Sequence, residues 1–87
     1  MINAIIYCED AFGSPNGKTA HGLVRRTNRY RVLAVVDSVR AGDDAGEVLD
    51  GLHRGIPFYA DIRASVESLR EKGEQATHLV IGLAPDG

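Results

Sequence analysis

The plainest chemistry on offer lies in one short stretch, Gly13-Ser-Pro-Asn16-Gly17-Lys18-Thr19. Gly17 lets a ligand approach the backbone closely, Lys18 carries a full positive charge and Thr19 has a hydroxyl to donate. A helix starting near Lys18 would add unpaired backbone N–H groups and a partial positive charge. Together these groups suit an anion, such as the phosphate of a nucleotide or of a CoA-like molecule. The spacing departs from both familiar designs. A phosphate-binding P-loop sets four residues between its glycines, then Lys and Ser or Thr. Here three residues separate Gly13 from Gly17, and Phe12 stands where the first glycine belongs. The dinucleotide pattern G-x-G-x-x-G is unmet as well, because Gly13, Gly17 and Gly22 are spaced by four and five. Two readings stay open. One is an anion site; the other is a strand-to-helix turn in which Gly13, Pro15 and Gly17 only shape the backbone.

Other reactive groups are scattered. Glu9 and Asp10 form a carboxylate pair that suits a cation, a general base or plain solvation. Cys8 is the single cysteine, and no activating partner can be assigned to it, so a small buried hydrophobe is expected. Asp37 follows Gly17 by twenty residues, the separation at which dinucleotide-binding folds place their ribose-binding acid. His21 is read as solvated and His78 as structural. Asp43 and Asp44 sit in an acidic, glycine-rich stretch where nothing fixes a cation geometry. No nucleophile–base pair and no metal-ligand set stands at a recognisable spacing, so the expected metal content is none and self-contained catalysis is the weakest reading.

The elements that must hold these groups alternate. Ile2–Cys8 and Val32–Val36 are nearly continuous apolar runs, as buried parallel strands are. Lys18 to about Thr27 has Ala20, Leu23, Val24 and Thr27 at helical spacing. Val39 to Arg54 breaks the periodicity and is expected to be a loop of about sixteen residues with one helical turn at Val48-Leu49. Gly55–Tyr59 reads as a short strand kept at an edge by Pro57. Asp61 caps a helix over Ile62–Lys72, with Ile62, Val66 and Leu69 as its apolar stripe and Gly73 as its stop. Thr77–Leu83 is the last strand. The expectation is an α/β fold: a Rossmann-like, three-layer parallel sheet of about four strands with two main helices. The last strand lies beside the first, and the switch point falls between them. Asp37, the Glu9–Thr19 loop and Ala84-Pro85 then face one crevice.

Composition narrows the function classes. With 87 residues the chain is one domain with a small core. A net charge of −2 argues against a general nucleic-acid surface. No apolar run approaches the roughly 20 residues of a membrane span, and Met1-Ile-Asn-Ala-Ile-Ile lacks the features of a signal peptide. One cysteine fits a reducing cytoplasm. Four strands leave an open edge, so self-association into a homo-oligomer is expected.

An ordered set of stretches carries a resemblance that spans almost the whole chain. It comprises Tyr7-Cys-Glu-Asp-Ala-Phe-Gly13 with Gly17-Lys-Thr-Ala20, Val36-Asp-Ser-Val-Arg-Ala-Gly42, Asp44-Ala-Gly-Glu-Val-Leu-Asp-Gly51, Gly55-Ile-Pro57 and Val80-Ile-Gly-Leu-Ala-Pro85. The set resembles the amino-terminal Rossmann-like domain of the prokaryotic domain-of-unknown-function family numbered 1611. The resemblance implies a longer parent in which a larger P-loop NTPase-like domain follows. It also implies acyl-transfer or nucleotide-using chemistry in that parent, since some relatives are regarded as N-acetyltransferases acting on D-glutamate. Gly55-Ile-Pro57 through Ala84-Pro85 is similar to the CoA-binding domains of acyl-CoA ligases at the level of fold. Two functions follow. The first is a module that binds a nucleotide- or CoA-like anion through Gly13, Asn16, Gly17, Lys18, Thr19, Asp37, Ala84 and Pro85, with CoA, NAD or ATP as candidate ligands. The second is an assembly domain that has no ligand of its own and packs against the partner domain.

Overall fold

The computed structural model describes residues 2–25 and 28–83. Four parallel strands form one sheet in the order β3-β2-β1-β4, with β1 over Ile2–Tyr7, β2 over Tyr30–Val36, β3 over Phe58–Tyr59 and β4 over His78–Ile81. The last strand lies beside the first, as expected, and the order reverses between them. β2 begins two residues earlier than the apolar run suggests, because Tyr30 and Arg31 pair with Ile2 and Asn3. β3 is a two-residue edge strand that follows directly on Pro57.

Three α-helices accompany the sheet: α1 over Lys18–Arg25, α2 over Ala45–Asp50 and α3 over Ile62–Glu71. α1 and α3 are the two main helices expected, and the expected single helical turn is extended into α2, which fills much of the segment read as a loop. Asp44 is the reason. Its carboxylate accepts the N–H of Glu47 and caps the helix, and Gly51 ends it with a left-handed φ of 80°. The Glu47 side chain does not return to the cap but turns to His53. Thr27, expected on the inner face of α1, and Arg26 lie outside the described residues.

The two faces of the sheet differ. On one, Phe12 and Phe58 meet edge to face, with centroids 4.9 Å apart, and Ile6, Val35, Ala20 and Ala45 close around them. Such an aromatic pair contributes about 0.5–1.5 kcal/mol beyond its burial. On the other face, Leu69 of α3 packs on Ile5, Leu33, Ala34 and Val36. Here the expected stripe is corrected: Ser65 and Leu69 are buried, whereas Ile62 is 38% and Val66 39% exposed. α3 leans toward β2 and β3, so its Ile62–Val66 side overhangs an open region. Register places Leu79 and Ile81 of β4 opposite Ile5 and Tyr7, hence on this same face. They remain 47% and 58% exposed. An open groove of about 410 Å³ lies between α3 and Ile5 on this face, lined by Val66, Leu69 and Ala76 and by the polar Arg70, Glu74 and Gln75.

Candidate functional site at the carboxyl ends of the strands

The crevice end of the sheet is built from three pieces: residues 8–17 after β1, residues 37–40 after β2, and Gly82-Leu83 after β4. Asp37 joins the first two. It is 1% exposed, and its carboxylate accepts three backbone N–H groups, from Asp10 at 3.1 Å, Phe12 at 3.4 Å and Val39 at 3.1 Å. Asp10 reaches this bond with φ at 56°, the left-handed region that Asp tolerates better than most residues. Asp37 is enclosed, so a ribose hydroxyl could reach its carboxylate only if the loop over it opened. Asp37 thus folds the loop, and Phe12 is driven under it into the core.

Residues 14–18 form a tight 3₁₀ turn that runs into α1. Ser14 caps it, its hydroxyl accepting the Asn16 N–H at 3.2 Å. Gly17 N–H donates to the Ser14 carbonyl at 3.0 Å, and Lys18 N–H to the Pro15 carbonyl. Of the backbone N–H groups of Asn16 to Thr19 expected to meet an anion, those of Asn16, Gly17 and Lys18 are engaged within the turn itself. Ala20 N–H, one turn on, donates to the Gly82 carbonyl at 3.3 Å and ties α1 to the end of β4. Gly17 is buried, and a β-carbon there would collide with the Ala11 carbonyl oxygen and approach Phe12 Cα to 2.9 Å. Its lack of a side chain serves the packing of the loop on itself.

Remaining groups divide into committed and uncommitted. Glu9 accepts both the N–H and the hydroxyl of Ser38, and these bonds hold its carboxyl below the usual range. His21 Nε2 meets the Phe12 carbonyl, and its ring packs edge-on to Phe12 with centroids 4.7 Å apart. His21 is thus half-buried, not simply solvated. Cys8 is fully buried with Sγ 3.9 Å from the Gly82 carbonyl. Burial, and secondarily the Asp37 charge, pushes its thiol up to about 11, so it stays protonated and inert at neutral pH. Lys18 and Thr19 are exposed on the first turn of α1. Gly13 is exposed too, and a β-carbon on it would sit 2.5 Å from Nη2 of Arg40. Among the described residues the Lys18 and Arg40 side chains have no ion-pair or hydrogen-bond partner. Arg40 was missed in the sequence because it follows Asp37 by three residues in a stretch with no periodicity; only the 3₁₀ turn over Ser38–Arg40 swings it against Gly13. Ala84 and Pro85 lie outside the described residues.

Family models and curated proteins give no match to this sequence. Among solved structures, a crystal structure of a DUF1611 family protein from Anabaena variabilis ATCC 29413 superposes with a TM-score of 0.79 at 26% identity, over 100% of this chain. This chain is a relative of that DUF1611 protein. The ordered motifs and the superposition therefore agree. The match spans only 23% of the DUF1611 relative's own length. No helix among the described residues is long and apolar enough to cross a membrane.

Proposed function

We propose that this chain is an amino-terminal assembly domain of a longer DUF1611-like protein, and that its α3-side face packs against the larger P-loop NTPase-like partner domain. One observation carries the reading. Leu79 and Ile81 stand about half exposed on the face that α3 covers only over β2 and β3, where a doubly covered parallel sheet would have a second helix. A parallel sheet is stable when both faces are covered, and each of these partly exposed side chains withholds about half of the roughly 1.5–3 kcal/mol that full burial gives. The acyl-transfer or nucleotide chemistry of the parent is assigned to the partner domain, since the thiol, Asp37 and Glu9 of this chain are all committed to its own fold. A reducing cytoplasm suits the free thiol.

Replacing Leu79 and Ile81 together by Ser tests this. The double variant is expected to keep the melting temperature of the parent chain while losing self-association and binding of a hydrophobic dye. A large drop in melting temperature would mean that the two side chains serve this domain's own core. A parent chain that stays monomeric and binds no dye would also sink the reading.

A second reading rests on the two unpartnered cations. Lys18, Arg40 and the Thr19 hydroxyl would hold the phosphate of a nucleotide, of CoA or of NAD at Gly13, with Asn16, Gly17 and Asp37 keeping the loop in shape. Phosphate titration followed by amide NMR should then shift residues 13–19 and 40 saturably, and Lys18→Ala and Arg40→Ala should each weaken the response. Flat shifts at these residues exclude it.

A further inference from the structure

In the crossover from β2 to β3, the aspartate that caps α2 stands with a second carboxylate and an imidazole. We propose that Asp44, Glu47 and His53 form a site for one divalent transition-metal ion of the zinc class. An imidazole with two carboxylates is a donor set that suits zinc, leaving a fourth position for water. One ligand atom from each of the three residues lies within 4.8 Å of the others.

The geometry is specific at Asp44. Its side chain is nearly buried, and three backbone N–H groups fix it. Oδ2 accepts two of them, from Glu47 at 3.1 Å and Arg54 at 2.9 Å. Oδ1 accepts only one, from Ile56 at 2.8 Å. A carboxylate oxygen has room for about two such bonds, so Oδ1 keeps a lone pair. Oδ1 is also the oxygen that stands 3.7 Å from His53 Nδ1. Glu47 Oε2 lies 2.8 Å from the same Nδ1. Neighbouring ligand atoms around a tetrahedral zinc, each about 2.0–2.1 Å from the metal, are about 3.3 Å apart. The two observed separations bracket that value. His53 and Glu47 are exposed and can make the adjustment, whereas Asp44 is held by the backbone as an oriented ligand should be. Without metal, a proton on His53 satisfies the two acids. The ion takes that place and releases the proton, so binding is favoured as pH rises. The bound ion would tie the first turn of α2 to residues 51–55.

The sequence brings Asp44 to notice but not this set, since the ligands stand three and six residues apart in a stretch of glycines and acids. The test is calorimetric titration of the 87-residue chain with Zn²⁺ near pH 7.5, with Co²⁺ absorption as a second probe. One ion per chain is expected, with a rise in melting temperature on loading. His53→Ala and Glu47→Gln should each weaken binding at least tenfold, while His78→Ala leaves it unchanged. Both altered residues are exposed, and circular dichroism of the metal-free variants checks their fold. Absence of saturable binding, a stoichiometry other than one, or full affinity in His53→Ala overturns the assignment, as does loss of affinity in His78→Ala.

Discussion

Asp37 and Asp44 make an instructive pair. Each is a buried aspartate that caps a helical turn, and each gathers three backbone N–H groups. Asp37 reaches back 27 residues to Asp10 and so joins two loops from different strands. Asp44 reaches forward no more than 12 residues, to Ile56, and closes its own crossover. Asp37 is wholly enclosed, while Asp44 has an exposed histidine and glutamate at its outer oxygen. The same backbone-binding device thus seals one end of the sheet and leaves a polar opening on the other loop. A carboxylate's role here depends on what stands beyond its N–H partners, not on its position at the end of a strand.

Replacing each aspartate separates the two. Asp37→Ala should be the most damaging change, by about 3–5 kcal/mol in denaturant unfolding, because three buried N–H groups lose their acceptor and Phe12 loses its lid. A loss below about 1 kcal/mol would show that water replaces the carboxylate and that the loop is not built on it. Gly17→Ala should follow at about 1–3 kcal/mol, since the added methyl meets fixed backbone at Ala11 and Phe12. Asp44→Ala should fall in a similar range, about 1–3 kcal/mol, and should fray α2 while β1 and β4 keep their amide protection in hydrogen exchange. Equal loss of protection in all strands would erase the distinction between a local and a long-range anchor.

Acid should act on the loops in turn. Glu9 is held below its ordinary value of 4.5 by the Ser38 hydroxyl and then the Ser38 N–H. Burial of Asp44 works upward, but the N–H groups of Arg54, Glu47 and Ile56, with the His53 charge, outweigh it and leave the carboxyl below 3.8. A carboxyl with a depressed folded value adds stability that is complete above its unfolded value and is lost as pH falls through the folded one. Melting temperature should therefore begin to fall below about pH 4.5, and Glu9→Gln should flatten the first part of that fall. The smallest effect belongs to His53. Glu47, and then Asp44, raise its value above 6.5, so its contribution is complete below 6.5 and disappears as pH rises through the raised value. In metal-free protein, His53→Gln should remove a slight decline on the alkaline side of pH 6.5. Unchanged curves would mean that solvent screens the pair completely.

The strands and α3 were legible because their signals are local: continuous apolar runs, Asp61 before a periodic segment, Gly73 after it. The reversal between β1 and β4 followed from right-handed crossovers alone. What escaped the sequence depended on distance. α2 was obscured by Gly46, a weak helix former, which is placed there because Arg54 and the Leu52 carbonyl press against it. The inner stripe of α3 was misread since Ile62 and Val66 are apolar, yet each stays more than a third exposed at the border of the packed face. Asp37 stands where a ribose acid would, and only the bonds from Asp10 and Phe12 reveal its other employment.

Strand pairing also sets an order of assembly. β1 is central, and its two neighbours arrive at very different times. Ile2 pairs with Tyr30, 28 positions on, but Ala4 pairs with His78, 74 positions on. At 5–20 residues per second, the ribosome delivers β4 about 4–15 s after β1. For that interval one edge of an Ile-Ile strand has no partner from its own sheet, and pairing across such a separation is slow to nucleate. The nascent chain is therefore most vulnerable to foreign strands, and most in need of a chaperone, before its last strand is made.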